Sequence, residues 1–219
     1  MRFWKAGSLA GLLVLGACGM NVADEGAAAA GEKAVQQASE EKAEKETCNR
    51  EVDAFAFFMA DGTTAHFKGE GNEFAELDIR TVYLEGNHVA VYEDNGGTVM
   101  LRVYHLGEDR IELVKEEPEF YEEYTPSLEE LEALTPISTY LEFPMKKGDV
   151  VNNRTIVDLK ADVETPYKTF KHAVVFEEKT ESGINRSYFV EGFGEVKREF
   201  IMETDDGPFT VTSSLESIE

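Results

Sequence analysis

Only 2 cysteines and 1 tryptophan occur in 219 residues. With so few thiols, a disulfide-stapled scaffold and a cysteine-rich zinc module are both excluded. Basic residues are scarce: 21 Lys and Arg face 44 Asp and Glu, a formal charge of −23. Such a chain repels the phosphates of nucleic acid and of anionic lipid headgroups, so no nucleic-acid partner is expected. The longest uncharged apolar stretch, Ala6 to Ala17, has about a dozen residues, short of the roughly 20 that span a bilayer as a helix. Nucleophile elbows, HExxH, phosphate-binding loops and dinucleotide fingerprints are missing. His66, His88, His105 and His172 have no metal-ligand spacing to one another or to cysteine. No catalytic residue, metal or cofactor is therefore assigned, and the reading is non-enzymatic.

The N-terminus is informative. Arg2 and Lys5 precede the apolar stretch, which closes on Leu15-Gly16-Ala17-Cys18. A charged start, a short apolar region and small residues before a cleavage point describe an export signal. The last four residues resemble the lipobox of bacterial lipoproteins. That resemblance implies recognition of Leu15, Gly16 and Ala17 by the signal peptidase and attachment of acyl chains, palmitate among them, to Cys18. Each buried CH₂ contributes about 0.8 kcal/mol of membrane affinity, so two or three chains hold a protein without a spanning helix. The expected address is the outer face of the cytoplasmic membrane, with the membrane itself as partner through the lipid. Loss of Arg2 and Lys5 with residues 1–17 takes the mature chain from −23 to −25. With Cys18 acylated, Cys48 has no partner.

Residues 18–47 are rich in Ala, Glu, Lys and Gln, with almost no large apolar residue after Val35. They cannot bury enough surface to offset the entropy of ordering, and read as a tether. From residue 48 onward strand signals dominate. Short β-branched or aromatic runs at 77–83, 89–92, 100–104, 111–114, 155–159, 173–176, 187–190, 196–200 and 209–212 are bounded by Gly, Asn and Asp. Glu85-Gly86-Asn87 suits a tight hairpin, and Asn95-Gly96 suits a type I′ turn. The predicted class is mostly β: antiparallel meanders forming a curved half-barrel or sandwich.

Two halves look duplicated, 48–117 and 141–219. Phe58 to Gly62 resembles Phe143 to Gly148, His88-Val89-Ala90-Val91-Tyr92 resembles His172-Ala173-Val174-Val175-Phe176, Arg102 matches Arg186 and Val114 matches Val196. Between the halves, 118–140 reads as a linker. Its helix has Ser127 as N-cap and Glu130 at the capping-box position. The glutamates from Glu116 to Glu132 read as a solvated strip, and Glu93, Asp94 and Asn95 as turn chemistry. Phe55, Phe57, Phe58, Phe67, Phe74, Tyr83 and Tyr92 form an aromatic set that either packs a core or lines a cavity for an apolar ligand.

Gly71-Asn72-Glu73-Phe74-Ala75, Glu93 to Thr98 and Tyr188 to Phe200 resemble recurrent segments of an uncharacterised family of surface lipoproteins from Bacillus-type Firmicutes. The resemblance spans most of 55–200 and implies a β-rich surface lipoprotein with no assigned activity. Three readings follow: a module that binds an envelope protein or ligand, a carrier of a lipid or other apolar ligand, and an extracellular hydrolase with an unrecognised site.

Overall fold

The computed structural model describes residues 52–219. Leu15, Gly16, Ala17, Cys18, the 18–47 tether and Cys48 lie outside the described residues.

The alternating runs do form strands. In β2 (Leu77–Leu84), Leu77, Ile79 and Thr81 are buried and Asp78 is exposed, the period of two that an extended chain imposes. The others are β1 (Thr64–Glu70), β3 (His88–Asp94), β4 (Val99–Leu106), β5 (Arg110–Pro118), β6 (Ser138–Glu142), β7 (Val150–Val151), β8 (Arg154–Glu164), β9 (Thr169–Lys179), β10 (Ile184–Val190), β11 (Gly194–Thr204) and β12 (Gly207–Ile218). Three of them, β1, β6 and β7, were not legible as strands. β1 carries Lys and Gly among its apolar residues, β6 falls within the expected linker, and β7 has two residues.

All twelve form one antiparallel sheet in the order β6-β5-β4-β3-β2-β1-β12-β11-β10-β9-β8-β7. Each half is thus a six-stranded meander, and the halves join where β1 pairs with β12. Thr64 and Glu219 exchange backbone hydrogen bonds of 3.0 and 2.9 Å at that junction. The free edges, β6 and β7, are consecutive in the chain, so the sheet curls into a nearly closed barrel. Closure hides most of the unpaired edge that an open meander would present.

The β2–β3 hairpin closes Leu84 onto His88 through the three residues Glu85-Gly86-Asn87, with Gly86 and Asn87 at φ 63° and 58°. The Asn95-Gly96 expectation is corrected. Only Gly96 has positive φ there (77°), and residues 95–98 form a longer loop. The Asn95 carboxamide oxygen accepts from the Gly97 and Thr98 N–H groups.

The duplication holds strand for strand but not at every matched residue. Gly62 and Gly148 precede β1 and β7 with φ 74° and 95°, and donate to carbonyls of β2 and β8 (Thr81 and Ile156) at 3.0 and 2.8 Å. Pairing His88 with His172 and Arg102 with Arg186 is out of phase. Val89 and Tyr104 face the same core as Phe176 and Phe189, so the inward match is Val89 with Val174 and Tyr104 with Phe189. A slip of one residue exchanges the faces of a strand. His88 is buried at the start of β3, whereas His172 is exposed, inside β9, at φ 59°.

The interior holds two apolar clusters. One joins Val89, Tyr104 and Ile111 to Ile156, Phe176 and Phe189 of the facing wall. The second gathers Phe67, Leu77, Ile79, Phe170, Val196 and Leu215. Full burial of a phenylalanine such as Phe67, Phe176 or Phe189 stabilises by roughly 1.5–3 kcal/mol each. One end of the barrel is plugged by a 3-10 turn at Ala54–Phe57, capped by the Asp53 side chain on the Phe55 N–H. Phe57 and Phe58 stack there on Phe143 and Tyr104. Gly194 (φ 71°) lets the plug seat closely: a Cβ there would lie 2.7 Å from the Phe57 carbonyl oxygen. On the outer face, α1 (Leu128–Glu132) buries Leu131 against Ala90, Tyr92, Leu101, Val103 and Val114. Its capping box is as expected, Ser127 and Glu130 each hydrogen-bonding the other's backbone N–H.

Candidate functional site: an ion bridge between two interior cavities

Charged residues interrupt the apolar interior at one level. Val89 and Val91 point inward from β3, and two residues on the same alternation carries Glu93 in as well. Arg102 enters from β4 in phase with Tyr104. On β11 the alternation alone would place Val196, not Glu195, in phase with Arg198. A bulge opposite Tyr188 and Phe189 changes this: Lys197 faces Tyr188 while Glu195 faces Phe189, so Glu195 joins Arg198. Bulges re-aim side chains in this way.

Arg198 crosses the barrel. Its Nη2 donates to Glu93 Oε2 at 2.9 Å on the facing wall and to Glu195 Oε2 at 2.7 Å on its own strand. Arg102 Nη1 lies 3.4 Å from Glu93 Oε2, and its Nε donates to Glu116 Oε2 at 2.7 Å. Glu93, read as a turn residue, instead serves the bridge; Glu116, read as part of a solvated strip, is indeed exposed and also binds Arg102. Burial opposes ionisation of Glu93, but the Arg198 and Arg102 guanidiniums outweigh it and hold its pKa below the ordinary glutamate value. Burial also opposes the Arg198 charge, and Glu195 and Glu93 overcome it. Burial keeps the Tyr104 and Tyr140 phenols protonated well above their usual range. Glu93 and Arg198 are thus both held in their charged forms.

Glu93, Glu195 and Arg198 separate two cavities and line both. The inner one, of about 220 Å³, lies toward the aromatic plug among Phe57, Phe58, Phe67, Ile79 and Val91. The outer one, of about 350 Å³, lies toward the opposite mouth. Its lining mixes apolar Phe74, Leu77, Phe200 and Val211 with polar Asn72, Asn95, Asn185 and Ser187, and Asn185 stands beside Phe200 in register. Among the described residues, the Arg198 guanidinium makes its hydrogen bonds through Nη2, and its buried Nε has no partner. A buried donor left unsatisfied costs about 1–3 kcal/mol, which an acceptor entering the cavity would recover.

Arg154 opens onto the same outer cavity from β8. It closes the seam between the sheet's two edges by donating from Nη2 to the Tyr140 carbonyl on β6. Its guanidinium stacks 5.2 and 5.0 Å from the Tyr140 and Phe176 ring centres.

The aromatic set divides. Phe57, Phe58 and Phe67 line the inner cavity and Phe74 the outer. Phe55 packs on Tyr83 (4.8 Å), and Tyr92 lies on the outer face. The histidines stand apart from the cavities: His66 is bound to Asp78 at 2.8 Å, and His88 packs on His105 at 4.9 Å. Arg102, Arg154, Glu195 and Arg198 were missed as site residues. The available signal was a charge in the inward phase of an apolar strand, legible at Glu93 but hidden at Glu195 by the bulge.

No family model matches the chain, and no curated protein matches it. Two crystal structures resemble it distantly. One is a Parabacteroides distasonis protein described as a lipoprotein, 13% identical, the match covering 75% of this chain and 98% of that one, with a TM-score of 0.47. The other is a Bacteroides fragilis protein described as exported with a YmcC-like fold, 13% identical, covering 74% of this chain and 98% of that one, with a TM-score of 0.43. At this identity and overlap neither likeness bears on what the chain does.

Proposed function

We propose that this chain is a non-enzymatic extracytoplasmic lipoprotein of the Bacillus-type surface family, held at the outer face of the cytoplasmic membrane by acyl chains on Cys18, and that its barrel binds a small ligand. The observation that carries the ligand reading is the cavity of about 350 Å³ lined in part by Arg198, whose buried guanidinium Nε has no partner among the described residues. Its size falls within the range of small-molecule pockets, about 300–1,000 Å³, and its lining mixes apolar wall with a few convergent polar groups. The anchor rests on the order Leu15-Gly16-Ala17-Cys18 behind a short apolar region.

Two measurements test this. Radiolabelled palmitate should enter the wild-type chain and not Cys18→Ala, and the variant should leave the membrane fraction. Native mass spectrometry of the gently extracted protein should show a bound mass beyond the polypeptide and its acyl groups. Unchanged membrane fractionation of Cys18→Ala would defeat the anchor, and a barrel that is empty from every extract would defeat the ligand.

A further inference from the structure

The outer cavity is unevenly supplied with donors and acceptors. Asn72 and Asn95 spend their carboxamide oxygens on the Phe74, Gly97 and Thr98 backbone N–H groups, which leaves their NH₂ groups to the cavity. Arg198 brings its unpartnered Nε. Arg154 is a more telling case. Arg80, Arg102, Arg110, Arg186 and Arg198 each have a carboxylate within 4.0 Å, in a chain with 44 acidic residues. Arg154, alone among the described arginines, has none; its recorded hydrogen bond is to a backbone carbonyl, which leaves its positive charge uncompensated. A guanidinium presents five N–H groups in a fork suited to two oxygens of one carboxylate. The same lining includes Phe74, Phe200 and Val211, with Phe74 56% exposed. An acceptor-rich, singly charged head suits the donors, and an apolar body suits these three.

Resting on the ligand-binding reading above, we propose that the outer cavity takes an amphiphilic carboxylate, its head on Arg154 and Arg198 and its acyl or aryl body against Phe74, Phe200 and Val211. Glu93 and Glu195 already neutralise Arg198, so Arg154 supplies the charge that an anion needs in this acidic chain. Glu178, on the same lining, disfavours a second negative charge on the ligand.

The test is calorimetric titration of the full chain carrying Cys18→Ser, so that no acyl group competes, with octanoate, octanol and octyltrimethylammonium. Octanoate should bind, and octanol should bind roughly tenfold or more weaker, the worth of a charge-assisted contact. Arg154→Met should weaken octanoate by a similar factor and leave octanol unchanged, with circular dichroism confirming that the sheet persists. Because Arg154 also closes the seam, Asn185→Asp supplies a second test that leaves the seam alone. A new carboxylate on the wall should weaken octanoate several-fold and spare octanol. Equal binding of octanol, tighter binding of the cation, or octanoate binding indifferent to both variants would overturn the carboxylate assignment and leave the ligand reading standing. Failure of all three probes, with an empty barrel in native mass spectra, would overturn both.

Discussion

The outer faces of the two meanders solve one problem in two ways. On the first half, Ala90, Tyr92, Leu101, Val103 and Val114 are apolar and buried. They are covered because β5 and β6 are separated by residues 119–137, long enough to double back across the sheet with α1. On the second half, β11 passes to β12 through Asp205-Asp206 alone, so that connection supplies no cover, although Val175, in phase with Tyr188, is still buried there. There the outward phase of β9, β10 and β11 carries Glu177, Arg186, Tyr188, Lys197 and Glu199, which bind one another. The length of the β5–β6 connection thus allows the strands beneath it to be apolar on both faces. The inner face is shared, and the bridge from Glu93 to Arg198 ties the halves across it.

The largest effect should come from cutting that tie. Arg198→Met leaves Glu93 and Glu195 facing a low-dielectric interior without their cation, and should cost roughly 3–5 kcal/mol by denaturant unfolding. The cost should fall in acid, because the folded pKa of Glu93 is depressed. Its contribution is present above the unfolded value of about 4.3 and is lost as pH falls through the folded value. Wild type and variant should therefore converge in stability below about pH 4; a gap that is constant with pH would show that the charge pairing is not what stabilises.

The cover comes next. Leu131→Ala removes a side chain that is 1% exposed and should cost roughly 2–4 kcal/mol. Hydrogen exchange should then rise along β3 to β5 and stay unchanged along β9 to β11. Uniform loss of protection would mean that the halves do not differ as argued. Ser127→Ala, which loses the N-cap of α1, should reproduce the pattern at about 1 kcal/mol. Arg80 helps to hold the same cover, stacking 4.0 Å over Tyr92 and donating to Glu123 at 3.1 Å.

Much of the fold was legible because its signals are local. Nine of the strands announce themselves by a period of two, and the cap of α1 by Ser127 and Glu130. The strands that were missed depend on partners: β1 is fixed by β2 and β12, and β6 by β5. The cover was read as a linker because Phe120, Tyr124, Leu131 and Leu134 lack a period, and only the apolar outer face of β3 to β5 gives them a purpose. The site was the least legible part. Glu93, Arg154 and Arg198 are distant in sequence, and no local pattern reports that β3, β8 and β11 bound one cavity. The repeat helped at the scale of strands and misled at the scale of residues, since pairing Arg102 with Arg186 equates an inward charge with an outward one.

That last pair offers the finest discrimination between the halves. Both arginines bind two glutamates: Arg102 meets Glu93 and Glu116, and Arg186 meets Glu177 and Glu199. Sequence equivalence predicts equal costs on removal. Position predicts otherwise, because Glu93 faces the interior whereas Glu177 and Glu199 lie on the outer face, even though Arg102 and Arg186 are about equally exposed, at 26% and 30%. Arg186→Met should cost under about 1 kcal/mol and less still in 1 M salt, where the screening length falls to about 3 Å. Arg102→Met, which leaves Glu93 with Arg198 as its one remaining cation beside the cavity, should cost about twice as much and respond little to salt. Denaturant titrations of both variants at low and high salt would decide it. Equal costs with equal salt dependence would place the two arginines in one environment and remove the distinction between inner and outer charge.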